Sequence, residues 1–201
     1  KSWLPANYHR LRQYDDWYSQ QHDLAPSIKL TTVKPSGTIS LLSGHTPGCH
    51  PGYAPYYIRR MRLDANHALL SSLKEMGLNI EPERGFDGTP NPDRQVVEFP
   101  CQSPSGTQLA ENTSAIQQLE VVRRLQKEWS DSAVSVTVYY RKEELKEIQA
   151  WLREHYTDNI KSCSFLLHCD HGFDQAPYET IDQDTYEQML NSLTTTTTTE
   201  D

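Results

Sequence analysis

The chain has 201 residues, a formal net charge of −8 and a hydrophobic fraction of 36%, with a mean hydropathy of −0.73. That acidity excludes a general nucleic-acid binder, whose phosphate contacts demand clustered Lys and Arg, and the one basic cluster, Arg59, Arg60 and Arg62, is too small to reverse it. No run of about 18 apolar residues offers a membrane span, and Lys1-Ser2-Trp3-Leu4-Pro5 is not the start of a signal peptide.

Leu11, Tyr14, Trp17 and Tyr18 recur at helical spacing and predict a helix over 7–21, broken by Ala25-Pro26-Ser27. A β-branched run then predicts a strand over 28–34. It stops at Pro35-Ser36-Gly37-Thr38, and an apolar helical start follows at once with Ile39, Leu41 and Leu42. Such a strand–turn–helix unit suits phosphate. The first helical N–H groups lack intrahelical partners, the helix dipole favours an anion, Gly37 allows close approach, and Ser36 and Thr38 add hydroxyl donors. Residues 43–55 are dense in Gly and Pro and read as a loop. A strand is predicted over 56–63 with its arginines alternating outward. A helix follows over 67–76, stopped by Gly77. Residues 81–94 are polar, rich in Pro and Gly, and read as a loop before a short strand over 95–101. Ser114-x-x-Gln117 is a capping box for a helix whose stripe is Ile116, Leu119, Val122 and Leu125. Residues 133–140 form the clearest strand. Leu145, Ile148, Leu152 and Tyr156 mark another helix, 160–168 another strand, and 185–190 a last short helix. The six threonines over 194–199 read as a disordered tail. Strands alternating with helices make an α/β chain with a parallel or mixed sheet or barrel. Roughly five strands are too few to close a barrel, so the chain reads as part of one.

Several constellations have plainer readings. Cys49, Cys101, Cys163 and Cys169 are scattered with no CxxC pair, which indicates reduced thiols and a cytoplasmic setting. His45, Cys49 and His50, or Cys163, His168, Cys169 and His171, could suggest a metal site, but neither shows the paired-knuckle spacing of zinc. Wall or core thiols are the favoured reading, and no metal is expected. A low-pKa thiol at Cys49 is conceivable in so Gly-rich a loop, but nothing basic is fixed beside it. Arg60 and Arg62 read as a solvated or inter-segment face. A second Pro-Ser-Gly-Thr, at 104–107, has no apolar helix after it and reads as an ordinary loop. The acidic runs at 142–144 and 182–184 sit at helix starts, where negative charge is stabilising.

The ordered set of Thr31-Thr32-Val33-Lys34-Pro35-Ser36-Gly37-Thr38-Ile39-Ser40-Leu41-Leu42, Thr46-Pro47-Gly48, His50-Pro51 and Tyr57-Ile58-Arg59-Arg60 resembles the C-terminal part of an adenosylcobalamin-dependent (class II) ribonucleotide reductase. Asp131-Ser132-Ala133-Val134-Ser135-Val136-Thr137-Val138-Tyr139, Ser164-Phe165 and Gln175-Ala176-Pro177-Tyr178-Glu179 fit the same family, most closely its monomeric, ribonucleoside-triphosphate-reducing type. The resemblance covers about residues 27–186. It implies an α/β fold that is the C-terminal portion of a ten-stranded barrel, incomplete without the rest of the enzyme. Residues 1–26 would be an N-terminal helix and linker, 27–190 the barrel segment and 191–201 the tail.

By position, Pro35, Ser36, Gly37, Thr38, Ile39 and Ser40 would hold the substrate polyphosphate, and Thr46, Pro47 and Gly48 would form a barrel-mouth loop. The resemblance also implies adenosylcobalamin as cofactor of the complete enzyme and a ribonucleoside triphosphate as substrate. The implied partners are an N-terminal reductase segment carrying the catalytic cysteine loop and a thioredoxin-type reductant, with no nucleic acid and no membrane. The chain departs from the family in two places. It has no Asn-x-Cys-x-Glu and no closing pair of cysteines, so it carries no catalytic residue. It is expected to be inactive alone, as a truncated piece, a split-gene subunit or an extein piece. The alternative is a non-catalytic nucleotide- or anion-binding or structural subunit that needs a partner chain, with a zinc module a distant third.

Overall fold

The computed structural model describes residues 3–36, 39–85, 87–158, 160–168 and 174–193. In chain order the elements are α1 (Leu4–Gln21), α2 (Ile39–Leu42), β1 (Tyr56–Asp64), α3 (Leu69–Glu75), β2 (Asn79–Arg84), β3 (Pro90–Gln102), α4 (Ala115–Glu128), β4 (Thr137–Tyr140), α5 (Leu145–His155), β5 (Ser164–Leu167), β6 (Tyr178–Thr180) and α6 (Gln183–Ser192). They divide into two compact units. The first takes the chain up to Gly52 and from Gln108 through β5; the second takes Tyr53–Thr107 together with β6 and α6.

In the first unit β4 and β5 pair in parallel, Thr137 opposite Ser164 and Tyr140 opposite Leu167, with α5 as the crossover that parallel pairing requires. Ala115 and Leu119 of α4, Val138 of β4, and Ile148 and Trp151 of α5 form its core. The capping box is present in both halves. Ser114 Oγ accepts from Gln117 N at 3.1 Å, and Gln117 Oε1 accepts from Ser114 N at 2.9 Å. α1 starts a turn earlier than periodicity suggests, because Pro5 is tolerated in the first turn, where an N–H has no partner anyway. It ends where Asp23 takes a positive φ of 53° and Leu24 N donates back to Ser19 O at 2.9 Å.

Four expectations change here. Residues 28–34 are extended but form no regular strand. Ser132 N donates to Thr31 O and Ser135 N to Val33 O, both at 3.1 Å. Three residues on one side therefore match two on the other, and no constant register can hold. For the same reason the strand over 133–140 shortens to Thr137–Tyr140. The strand expected over 160–168 spans only Ser164–Leu167, the residues that pair with β4. Tyr156 is 72% exposed. Trp151 takes the inward place instead, its Nε1 donating to Glu120 Oε1 at 2.7 Å.

The second unit is an antiparallel sheet in the order β2-β3-β1-β6. β1 and β3 pair without a break from Tyr56 opposite Gln102 to Asp64 opposite Arg94. The loop expected over 81–94 is instead the β2–β3 hairpin, which turns at Gly88 (φ 77°), with Gly85 N donating to Thr89 O at 2.9 Å. Its prolines fit because of where they lie. Pro82 stands on the edge strand at a bulge, and Pro90 and Pro92 lie beyond the end of β1, where no ladder bond is lost. α3 spans only Leu69–Glu75 and is followed by Gly77 at φ 84°, where a Cβ would run into the Ser192 carbonyl at the end of α6. α6 is longer than expected, capped by Asp182, whose Oδ1 accepts from Thr185 N at 2.7 Å.

Arg60 does not point outward. It is 9% exposed and pairs with Glu98 at 2.7 Å and Glu179 at 2.5 Å. The Pro104 copy of the tetrapeptide is a plain turn, Thr107 N donating to Pro104 O at 3.1 Å. Cys169, His171 and the threonine tail lie outside the described residues. Among the described helices none is long and apolar enough to cross a membrane.

Candidate functional site: the Pro-Ser-Gly-Thr turn and its supports

The extended segment that leads into the turn is held by side chains. Asp131 accepts from Leu30 N at 2.8 Å, from Tyr8 Oη at 2.7 Å and from Arg12 Nη2 at 3.2 Å. Burial alone would raise its carboxyl. The Leu30 N–H, the Tyr8 hydroxyl and the Arg12 charge together hold it below the usual carboxylate range. Thr31 Oγ1 accepts from Asp131 N at 3.1 Å and donates to Trp129 O. Lys34 Nζ donates to Ala133 O at 3.0 Å and Ser135 Oγ at 2.8 Å, so its charge is committed to the wall.

Of the six residues expected at the phosphate, Pro35, Ser36, Ile39 and Ser40 are described, while Gly37 and Thr38 lie outside the described residues. Ser36 Oγ accepts from Ser40 N at 3.2 Å, and Ser40 Oγ donates to Ser36 O. Ser36 thus acts as a cap on the start of α2. Ile39 is 74% exposed. α2 has only four residues, so its dipole adds little, and the turn's capacity for an anion rests on hydroxyl and amide donors.

The Thr46-Pro47-Gly48 loop lies directly against this turn. Gly48 has φ 57°, and a Cβ there would stand 3.1 Å from Lys34 O and 3.2 Å from Pro35 N. His50 fastens the same loop to β4. Its Nε2 accepts from Thr137 N at 3.0 Å, and its Nδ1 lies 2.8 Å from Pro47 O, the pattern of a neutral ring protonated at Nδ1. Two sequence motifs and the 131–139 segment therefore converge on one place. Thr31, Asp131 and His50 set that geometry; the sequence offered His50 only as a possible metal ligand and gave Thr31 and Asp131 no role. Only their membership of the quoted motifs marked them.

The other motif pair is structural. Ala176 O accepts from Arg60 Nη1 at 3.1 Å, and Pro177 O accepts from Arg60 N and Arg59 Nη1, both at 3.0 Å. The Arg59 guanidinium lies 4.5 Å over the Tyr178 ring. Gln175 accepts from Arg84 N at 2.8 Å and donates to Glu81 at 2.7 Å. These contacts close the sheet of the second unit.

Among the described residues no group of three His, Cys, Asp or Glu could hold a metal ion, and both nitrogens of His50 face backbone groups. Burial pushes the Cys49 and Cys163 thiols up, the reverse of a reactive thiolate, and Cys163 packs against the first unit's core. A groove of about 360 Å³ along α4, lined by Glu120, Val121, Arg123, Arg124, Lys127 and Glu128, is too small and too charged for a corrin. That groove does not fit such a cofactor.

The chain as a whole is similar to known proteins. The family described as "Ribonucleotide reductase, barrel domain" matches residues 14–166. The adenosylcobalamin-dependent ribonucleoside-triphosphate reductase of Lacticaseibacillus paracasei is 40% identical over 190 residues, 92% of this chain and 25% of that protein. A probable enzyme of the same name from Dictyostelium discoideum is 36% identical over 197 residues, covering 96% and 25%. A crystal structure of a B-12 dependent (class II) ribonucleotide reductase is similar with a TM-score of 0.78 and 32% identity, covering 94% of this chain and 26% of that one. The chain spans about a quarter of the length of the curated relatives it matches.

Proposed function

Because the chain belongs to the ribonucleotide reductase family, as a portion of the class II barrel domain, we propose that it supplies part of the wall of a reductase active site and the turn that grips the substrate's polyphosphate. The reading rests on one observation above others, the seating of Gly48 on the Lys34–Pro35 peptide. That contact ties the loop to the peptide leading into the turn, beside the start of β4, where Lys34 holds Ser135 and His50 holds Thr137 N. The Ser36 and Thr38 hydroxyls and the amides of the turn would donate to phosphate oxygens. A ribonucleoside triphosphate is the substrate class named for the relatives.

In the complete enzyme adenosylcobalamin would supply the radical chemistry, and a thioredoxin-type dithiol in the cytoplasm the electrons. This chain's part is binding and orientation, which holds the ribose at a fixed distance from the reacting group. The test is triphosphate binding by this chain completed with the rest of a reductase. Changing Ser36→Val and Thr38→Val together should weaken the affinity at least tenfold, since hydrogen bonds to a charged group are worth about 1.5–3 kcal/mol each. Unchanged affinity in a well-folded complex would remove the phosphate role.

A further inference from the structure

α1 has two working faces, of which the first unit uses one. Tyr8, Arg12 and Ser19 lie along the face that meets Asp131 and its surroundings, Ser19 being buried. On an adjacent face Leu11, Tyr14 and Tyr18 follow at i, i+3 and i+7, with Trp17 beside them. Tyr14 is 60% exposed and Trp17 54%. Leu11 and Tyr18 are also exposed, and among the described residues nothing covers the stripe. The rings are already arranged against one another, Tyr14 to Trp17 at 5.5 Å, Tyr14 to Tyr18 at 6.2 Å and Tyr18 to His22 at 4.2 Å. Contiguous, ordered and uncharged aromatic surface of this kind marks an interface rather than scattered surface residues.

We infer that this stripe is the seat of the complementary segment of the reductase polypeptide, the three quarters of the relatives that this chain does not span. The inference rests on the function proposed above and adds the surface through which assembly occurs. Three observations select that occupant. The barrel-domain match begins at Tyr14, so the three aromatic residues of the stripe belong to the matched segment. Among the described residues no strand pairs with the far edge of β5. Ser164 N and His168 N donate to Val136 O and Tyr140 O, so by strand alternation the N–H groups of Phe165 and Leu167 face away from β4. Phe165 and Leu166 are also exposed there. Parallel sheets are ordinarily covered on both faces and continued at their edges. Size supplies the third reason. Aromatic side chains bury about 150–250 Å² each, so this half-exposed stripe offers roughly 400 Å², half of the ~800 Å² per partner of a stable interface. That is too little for a symmetric pair of this chain, but suits a partner that also engages the β5 edge.

The test mixes this chain with the Lacticaseibacillus paracasei reductase segment that lies outside the matched quarter. Sedimentation velocity reads stoichiometry, and oxidative footprinting reads side-chain exposure. A one-to-one complex should form, with labelling of Tyr14, Trp17 and Tyr18 reduced at least fivefold. The variant carrying Tyr14→Ser, Trp17→Ser and Tyr18→Ser, checked for unchanged circular dichroism, should bind at least thirtyfold more weakly. A complex that restores nucleotide reduction while the stripe labels as before, or that tolerates the triple variant, overturns this inference and leaves the proposed function standing. Self-association of the chain through a protected stripe also overturns it, in favour of a second copy. Failure to form any complex overturns both readings.

Discussion

The two units hold their strands by different means. In the second, a nine-residue strand pairs without interruption on its neighbour, and the backbone satisfies itself. In the first, side chains do much of that work. Gln118 donates to Tyr139 O at 2.9 Å and accepts from Tyr139 N at 3.0 Å. Gln126 brackets Ser130 O, Ser132 O and Val134 N at 2.7, 3.0 and 3.0 Å. His50 takes Thr137 N, and Asp131 takes Leu30 N. A ladder tolerates changes of side chain because its bonds belong to the backbone. A wall built of brackets loses its backbone partners with each bracket. That difference falls on the unit that carries the candidate site.

The largest effect should come from removing two brackets together. Gln118→Leu with Gln126→Leu deprives several buried backbone groups of partners at about 1–3 kcal/mol each. A loss of about 4 kcal/mol or more is expected by urea denaturation, with hydrogen exchange accelerated over 130–140 and unchanged over β1 and β3. Equal loosening of both units would break the comparison. Arg60→Met probes the other side. It strands the buried Glu98 and the half-exposed Glu179 at a cost of roughly 3 kcal/mol, yet the amides of the β1–β3 ladder should stay the slowest to exchange. If that ladder opened first, the second unit too would depend on side chains.

Gly48→Ala is expected to cost about 1–2 kcal/mol for its left-handed backbone. It should also lower triphosphate affinity without altering Ser36, because the displaced loop moves the Lys34–Pro35 peptide. The smallest effect is the acid limb. Asp131 has its folded pKa below the unfolded value of about 3.9. Its contribution is therefore complete above that pH and is lost as pH falls through the lower folded value. Asp131→Asn should flatten this limb in a melting-temperature profile below about pH 4, while the profile of wild type steepens there.

Sequence pattern carried local features well and distant ones badly. The capping box and the Leu119–Val122 stripe of α4 are legible because all their partners lie within one helix. The β2–β3 hairpin was hidden by Pro82, Pro90 and Pro92, which signal a loop unless the edge and the end of β1 are known. The β-branched run over 28–34 was read as a regular strand because composition reports extension and says nothing of register. At the site, the turn itself was visible, but its supports were not. Asp131 acts on Leu30 N across 101 residues and His50 on Thr137 N across 87. Both bind backbone groups, which leave no trace in the identity of the partner residue. Arg60 misled for a related reason, since alternation put it on a face but could not say that Glu98 and Glu179 would meet it there.

The contact between Gly48 and the Lys34–Pro35 peptide also determines what can be transplanted. Residues 34–40 moved alone onto another strand–helix joint would arrive without a backplate, and the grafted turn would relax into whatever shape its new flanks allow. The smallest portable cassette runs from Thr31 through His50 and brings with it the stretch from Trp129 to Thr137. Drift at Gly48 is correspondingly closed to any residue with a side chain unless the Lys34–Pro35 peptide moves with it, so the two motifs should be inherited, and engineered, as one.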